Sequence, residues 1–155
     1  MAHWMWPISL IGILSTAVVF GTDVFFLMIG KAALKQASVE AGTEVMGFFH
    51  LIADARMPVW GVLAIVSNLL LAIATGGVHR WFYLTSVLLL ILFVLLYTRF
   101  SKRINRIQID AAQSGKRLSD GRELQTKWDR LLLIRVPLLA VSLLAQSLVL
   151  LVVSA

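Results

Sequence analysis

The sequence contains no cysteine, and this absence removes a large part of protein chemistry. Disulfides, thiolate nucleophiles and thiolate metal ligands are all excluded, and the redox state of the compartment leaves no trace. Charge is also scarce, because Asp, Glu, Lys and Arg make up 14% of the 155 residues, against about 25% in soluble globular proteins. Hydrophobic residues make up 59%, so the composition is that of a membrane protein.

Basic residues are absent from the beginning of the chain, where the first is Lys31. A secretory signal peptide begins with a positively charged segment, so we interpret the apolar stretch 4–30 as a retained helix. It contains one charge, Asp23, and is longer than the roughly 20 residues that a span requires. Three further apolar stretches follow, at 57–78, 81–98 and 131–155. The predicted fold is all-α, a single integral membrane domain over 1–155 built as a four-transmembrane-helix bundle.

Two connections between the predicted spans carry nearly all of the charge. A long basic loop over 99–135 joins the third and fourth spans and holds 10 of the 14 Lys and Arg residues. Within it, Ile104, Ile107 and Ile109 among the charged residues indicate that the third helix continues past the membrane. The segment before the second span has apolar residues at spacings of three and four, which predicts an amphipathic helix. These residues are Val45, Phe48, Phe49 and Ile52. Pro58 either kinks one long continuous helix or begins a new one.

The basic residues predict the orientation of the chain. With the long loop in the cytoplasm, 13 of the 14 Lys and Arg residues lie inside and Arg80 alone lies outside. We therefore predict a bacterial inner-membrane protein with both termini outside the cytoplasm. Because the basic residues flank apolar segments, we expect the loop to contact anionic lipid of the bilayer and not nucleic acid. A homo-oligomer remains open.

Two ionisable residues lie within the predicted spans. Asp23 and Arg135 occur at similar depths near the cytoplasmic ends of the first and fourth spans. A carboxylate inside a membrane is costly unless it is paired, hydrated or protonated. One interpretation is a structural ion pair that joins the two helices, and the other is a carboxylate that handles protons or binds a substrate.

His50 and Asp54 are the candidate metal ligands. They are four residues apart, on one face of the predicted amphipathic helix, with Arg56 close by. A histidine with carboxylates can bind iron, manganese or zinc, and His50 could also bind haem. The same spacing fits a helix with a solvated polar face, and the paired Glu-x-x-His motif of di-iron bundles does not occur. No cofactor is evident from the sequence.

The second half of the chain contains a recognisable pattern of three residues. Asn105 lies in FSKRINRIQ, and Trp128 and Arg135 lie in KWDRLLLIRVPLL. With the four-span layout, this pattern resembles the anthrone-oxygenase-like family of small four-helix membrane proteins, largely a domain of unknown function. The resemblance implies oxidation of a phenolic, quinone-forming substrate by oxygen, without an obvious bound cofactor.

These residues fit an oxidoreductase or oxygenase that acts on a lipophilic aromatic molecule. As candidate catalytic residues, Asp23 or His50 would remove a proton and Arg135 would stabilise the phenolate. The candidate substrate-binding residues are Trp128, Asn105 and Arg56. Two other functions remain open: a non-enzymatic binding or accessory subunit of the membrane, and a small transporter that works as an oligomer.

Overall fold

The computed structural model describes residues 3–153, and in that part of the chain every regular element is a helix. Four helical segments are long and apolar enough to cross a membrane. They are Met5–Gln36, Val39–Ala74, Gly77–Ser114 and Gly121–Leu150. Consecutive segments pack side by side and the fourth closes on the first, which makes an antiparallel four-helix bundle. The prediction of an all-α chain with four helices long and apolar enough to span a membrane is confirmed for the described residues.

The helices are longer than the predicted spans. In chain order the elements are α1 (Met5–Phe25), a first π-helical turn (Phe26–Gly30), α2 (Lys31–Gln36), α3 (Val39–Ala74), α4 (Gly77–Leu96), a second π-helical turn (Tyr97–Ser101), α5 (Lys102–Ser114) and α6 (Gly121–Val153). With 36 residues, α3 is about 54 Å long, whereas the hydrocarbon core of a bilayer is about 30 Å thick. The helix is therefore longer than a single crossing of a bilayer requires.

The structure revises the predicted connections. Most of the long basic loop is helical, because α5 and the first turns of α6 occupy it and only residues 115–120 lie between them. The segment before the second span is continuous with that span, and α3 passes through Pro58 as one helix. Residues 154 and 155 of the predicted fourth span lie outside the described residues. We call the end with connections 37–38 and 115–120 the basic end, and the end with the turn at 75–76 the opposite end.

The first half of α3 turns its apolar side chains outward. Four of them are between 42% and 52% exposed: Val45, Phe48, Phe49 and Ile52. The buried positions of the same stretch are Thr43, Met46, Gly47 and His50. A helix in water would have the reverse arrangement, whereas in a membrane the outward residues contact lipid and small or polar residues face the other helices. This stretch is therefore part of the bundle and brings His50 into its interior.

Gly47 allows α3 and α5 to approach closely. A Cβ atom at this position would overlap the carbonyl oxygen of Gln108 and the Cβ of Ala112. Small residues permit such approaches between packed helices. The contact places the Gln108 side chain within hydrogen-bond distance of His50.

The interior of the bundle changes along its axis. Toward the opposite end it contains neutral polar groups, and Gln146 Nε2 donates to Ser86 Oγ at 2.9 Å and Thr16 Oγ1 at 3.0 Å. An apolar layer follows, formed by Val19, Ala64, Leu90 and Leu139. Toward the basic end, Asp23, His50, Asp129 and Arg135 are buried near an apolar cluster of Met46, Trp128 and Leu132. The buried carboxylates, histidine and arginine are thus gathered in one half of the molecule.

Candidate functional site

Asp23 of α1 and Arg135 of α6 form a buried ion pair. Arg135 Nη2 lies 2.7 Å from Asp23 Oδ1, and their side chains are only 8% and 5% exposed. The predicted contact between the first and fourth helices is therefore present. Arg135 Nη1 also donates to Ser101 Oγ at 3.1 Å. Among the described residues, Asp23 Oδ2 and Arg135 Nε have no hydrogen-bond partner, which leaves one acceptor and one donor of the pair available.

Aromatic rings surround the guanidinium of Arg135. Its Cζ lies 5.0 Å from the ring centroid of Phe93 and 5.8 Å from that of Trp128. A cation over an aromatic face is stabilised by the ring quadrupole, more strongly where water is excluded. Trp128 lies seven residues before Arg135 in α6, so the two share one helical face. The local helix geometry thus explains why the ring and the cation meet.

A second group of hydrogen bonds is centred on Asp54. Its Oδ1 accepts from Tyr97 Oη at 2.7 Å and from Asn105 Nδ2 at 3.0 Å. Asn105 Oδ1 in turn accepts from Trp128 Nε1 at 3.1 Å. Asn105 therefore connects Asp54 of α3 with Trp128 of α6. All three residues of the sequence pattern, Asn105, Trp128 and Arg135, lie in one buried cluster.

His50 is the first member of a directional hydrogen-bond chain. His50 Nε2 lies 3.0 Å from Gln108 Oε1, Gln108 Nε2 donates to Gln125 Oε1 at 3.2 Å, and Gln125 Nε2 donates to Asp129 Oδ1 at 2.8 Å. An ionised carboxylate can only accept, so each amide must turn its oxygen toward the next donor. His50 Nε2 therefore carries the proton in this chain. In the neutral ring, Nδ1 then has the free lone pair.

Trp128 contacts both parts of the site. The ring centroid of His50 lies 5.2 Å from that of Trp128, and the Arg135 guanidinium lies against the same indole. A potential base and a fixed cation therefore share one aromatic neighbour. We name this group the Trp128 cluster. It consists of Asp23, His50, Asp54, Asn105, Trp128 and Arg135.

Both π-helical turns lie beside the Trp128 cluster. The first begins three residues after Asp23 and includes Phe26, whose ring packs edge-on against Trp128 with centroids 5.4 Å apart. The second includes Tyr97 and Ser101, which bind Asp54 and Arg135. Single π-helical turns are rare and occur frequently at functional sites. Here the turns themselves contribute Phe26, Tyr97 and Ser101 to the surroundings of the cluster.

One predicted site residue is not in the cluster. Arg56 is exposed on α3, and its side chain makes no hydrogen bond or salt bridge with the described residues. The two candidate metal ligands bond to different partners, since His50 contacts Gln108 while Asp54 contacts Asn105 and Tyr97. Within residues 3–153, no group of three or more His, Cys, Asp or Glu residues is placed to hold a metal ion.

Several residues of the site were not predicted from the sequence. They are Tyr97, Ser101, Gln108, Gln125 and Asp129. Three of them, with Asn105, follow a helical spacing of four, four and three along the third segment. This polar face was the available signal, because it begins at Tyr97 in the predicted third span and runs on into the part of the basic loop where that helix was expected to continue.

Searches of protein-family models, curated proteins and solved structures found no match to this chain. Its class is therefore defined by the fold and the site themselves. It is a four-helix bundle with the dimensions and composition of a membrane protein, and it buries an ionisable cluster toward its basic end.

Proposed function

We propose that this chain is an integral membrane oxidoreductase of the oxygenase kind, which oxidises a lipophilic phenol to a quinone at the Trp128 cluster. One observation carries the proposal. Asn105, Trp128 and Arg135, the residues of the family resemblance, converge on the same buried site as His50. Ionisable groups are costly inside a membrane bundle and commonly mark functional sites.

The geometry gives each group a chemical role. His50 Nδ1, with its lone pair, would take the phenolic proton, and Arg135 would stabilise the phenolate through its unpartnered Nε donor. Asp23 holds the guanidinium in place. Trp128 provides a face on which the aromatic ring can stack. For an anthrone, the two hydrogens of the central methylene are replaced by one oxygen, one O₂ is consumed and one water is released.

Turnover of a hydroxyanthrone by the purified protein in detergent tests this function. Oxygen uptake and quinone absorbance should rise together in a one-to-one ratio. The substitution His50→Gln should lower the rate at least a hundredfold, since general bases contribute roughly 10²–10⁴-fold. Gln146→Leu, in the other half of the bundle, is the control and should retain the rate. A wild-type protein that oxidises neither hydroxyanthrones nor hydroquinones would contradict the proposal, and unchanged turnover in Asp23→Asn would remove Asp23 from the mechanism.

An ultraviolet–visible spectrum with elemental analysis tests the metal prediction. A Soret or charge-transfer band, or stoichiometric iron, manganese or zinc, would make His50 and Asp54 ligand candidates again. Substituting either residue should then remove the band or the metal. A colourless and metal-free sample with full turnover would instead leave His50 in the role of general base.

A non-enzymatic binding or accessory subunit is the second candidate function. The observation that favours it is the pairing of the buried charges, since Asp23 and Arg135 bond to each other and Asp54 has two donors. A photoreactive lipophilic phenol separates the two proposals. Labelling of peptides that contain Trp128 or His50 in a protein that turns over substrate supports the enzyme, and the same labelling without turnover supports a binding subunit. Absence of labelling with intact folding supports an accessory subunit. An oligomeric transporter is the third candidate. Within one chain, the apolar layer that includes Leu139 separates the buried polar groups of the two halves, so a polar path would have to form between chains.

We also infer the orientation in the membrane from the charge distribution. The basic end would face the cytoplasm of a bacterial cell, with both termini on the outer side of the inner membrane. In this orientation a C-terminal alkaline phosphatase fusion should be active and a C-terminal green fluorescent protein fusion should be dark. The reverse pattern would contradict the orientation. Chemical cross-linking in native membranes tests whether the chain forms a homo-oligomer.

A further inference from the structure

A cavity of about 230 Å³ lies at the basic end of the bundle. It is bordered by α2, by the beginnings of α3 and α6, and by Gln108 of α5. None of the six residues of the Trp128 cluster lines it. The cavity is therefore separate from the Trp128 cluster, although three of its lining residues, Gln108, Gln125 and Asp129, belong to the hydrogen-bond chain of His50.

Cations predominate on the cavity wall. Lys31 and Lys35 are four residues apart in α2, so they share a helical face, and Arg122 lies across from them on α6. Neither lysine makes a salt bridge or a side-chain hydrogen bond with any described residue. Arg122 Nη2 donates to the carbonyl oxygen of Ala37 at 3.1 Å, which holds its guanidinium at the cavity. Asp129 is the one carboxylate on the wall.

Two helix N-termini add donors to the same wall. The first residues of α3 and α6, Val39 and Gly121, both line the cavity. The N-terminus of a helix carries a partial positive charge and N–H groups that favour anions. The N–H of Gly121 already donates to the carbonyl oxygen of Leu118 and that of Ala41 to Ser38 Oγ, so the remaining first-turn N–H groups are the donors for an anion. A Cβ atom at Gly121 would come within 2.9 Å of Thr43 Oγ1 and Val39 Cγ1. This close contact keeps the two N-termini together.

We propose that the cavity binds a phosphate group, carried either by a lipid headgroup or by a soluble molecule. Asp129 interacts electrostatically with Lys31 and Lys35, so three cations less one carboxylate leave the wall with a net charge of +2. A phosphate brings up to two negative charges and several acceptor oxygens, which match that net charge and the N–H donors around it. Its position fits both sources. Because α3 is longer than the hydrocarbon core of a bilayer is thick, its basic end would lie at the membrane surface, within reach of lipid headgroups and of soluble molecules. The inference goes beyond the proposed oxidation and does not depend on it.

The bound phosphate would also touch the hydrogen-bond chain to His50. Gln108, Gln125 and Asp129 line the cavity and form that chain. Occupation of the cavity is therefore expected to change the chemical environment of the His50 ring. This gives the binding experiment a second readout in the protein itself.

Two probes distinguish the sources of the phosphate. Inorganic phosphate is titrated into the detergent-solubilised protein by calorimetry. In parallel, native mass spectrometry compares retained phosphatidic acid with retained diacylglycerol of the same chains, which lacks the phosphate. Saturable binding of inorganic phosphate indicates a soluble ligand, and selective retention of phosphatidic acid indicates a lipid. Either result supports the site.

A matched pair of variants tests the position of the site. Lys31→Gln with Lys35→Gln removes two cavity cations, and Lys102→Gln with Arg103→Gln removes two exposed cations of α5 that do not line it. The first variant should bind about 25-fold more weakly, at about fivefold for each basic residue near an anionic group. The second should stay within twofold of wild type. Equal weakening in both variants, or no binding of either probe to a folded wild-type protein, would overturn the proposal.

Discussion

The two halves of the bundle bury polar groups in different ways. Toward the opposite end the buried polar side chains are neutral, with Gln146 bonding across helices and Ser9 Oγ lying 2.9 Å from Tyr83 Oη. Toward the basic end the interior holds the Trp128 cluster, with its carboxylates, histidine and arginine. Between the halves lies the apolar layer that includes Val19 and Leu139.

The difference separates packing from chemistry. Neutral cross-helix hydrogen bonds in membranes are worth about 0.5–2 kcal/mol each and bring no reactive group. Taking an ion pair out of water costs more free energy than burying a neutral hydrogen bond, and the attraction between the charges can fail to offset that cost. A stabilising role therefore does not explain why the pair is buried. We expect substitutions in the neutral half to change stability alone, and substitutions in the ionisable half to change both stability and turnover. The following experiments test that separation.

Loss of Arg135 should have the largest effect. Arg135→Leu leaves Asp23 buried without its partner, which should lower the free energy of unfolding by about 3–5 kcal/mol. Adding Asp23→Leu removes the stranded charge and should recover most of that loss. Unfolding in detergent, followed by circular dichroism, measures both variants. If Arg135→Leu alone is as stable as the variant that also carries Asp23→Leu, the ion pair is not buried as described.

Gly47 should be the most sensitive glycine in α3. Gly47→Ala puts a methyl group against Gln108 and Ala112 and should cost about 1–3 kcal/mol, because the two helices must move apart. Gly61→Ala is the control in the same helix, where no atom lies within 4 Å of the added methyl group. There the better helix propensity of alanine should stabilise by about 0.5–1 kcal/mol. Thermal unfolding measures both variants. An equal fall in the midpoint temperature for Gly47→Ala and Gly61→Ala would contradict the close contact.

Gln146→Leu should affect stability without affecting chemistry. Its Nε2 bonds to Thr16 and Ser86, and the loss should cost about 1–2 kcal/mol. Turnover and phosphate binding should remain at wild-type values, because the apolar layer separates Gln146 from the cluster. A large loss of turnover at unchanged folding would show that the two halves are coupled.

Asp129→Asn should have the smallest effect on stability and a specific effect on His50. The asparagine can donate as well as accept, so the hydrogen-bond chain loses its fixed direction. The ¹⁵N chemical shifts of the His50 ring should then report a mixture of tautomers, where wild type shows the Nε2–H form. Asp110→Asn, on the exposed surface of α5, is the control. If His50 in Asp129→Asn keeps the Nε2–H tautomer alone, Asp129 is not the residue that sets the direction of these hydrogen bonds.

Some of the site could be predicted from the sequence because depth in a membrane follows from position in a span. Asp23 and Arg135 lie at similar distances from the ends of their apolar stretches, and the structure pairs them. The spacing of Ile104, Ile107 and Ile109 predicted that the third helix continues past its span, and α5 confirms it. Composition did not reveal which polar side chains of α5 turn inward, because its first residues are mostly charged. The contacts of Asn105 with Asp54 and Trp128 depend on that extension, so they could not be predicted from span positions alone.

The sequence by itself determined four helices long and apolar enough to span a membrane, since an apolar stretch of about 20 residues can cross a bilayer only with its backbone groups paired within the helix. It also determined which end carries the positive charge. Only the tertiary structure decided that His50 turns inward while Phe48 and Phe49 turn outward, because that choice depends on the close contact of Gly47 with α5. The direction of the chain from His50 to Asp129 was likewise decided by three helices meeting at hydrogen-bond distance, which no local pattern encodes.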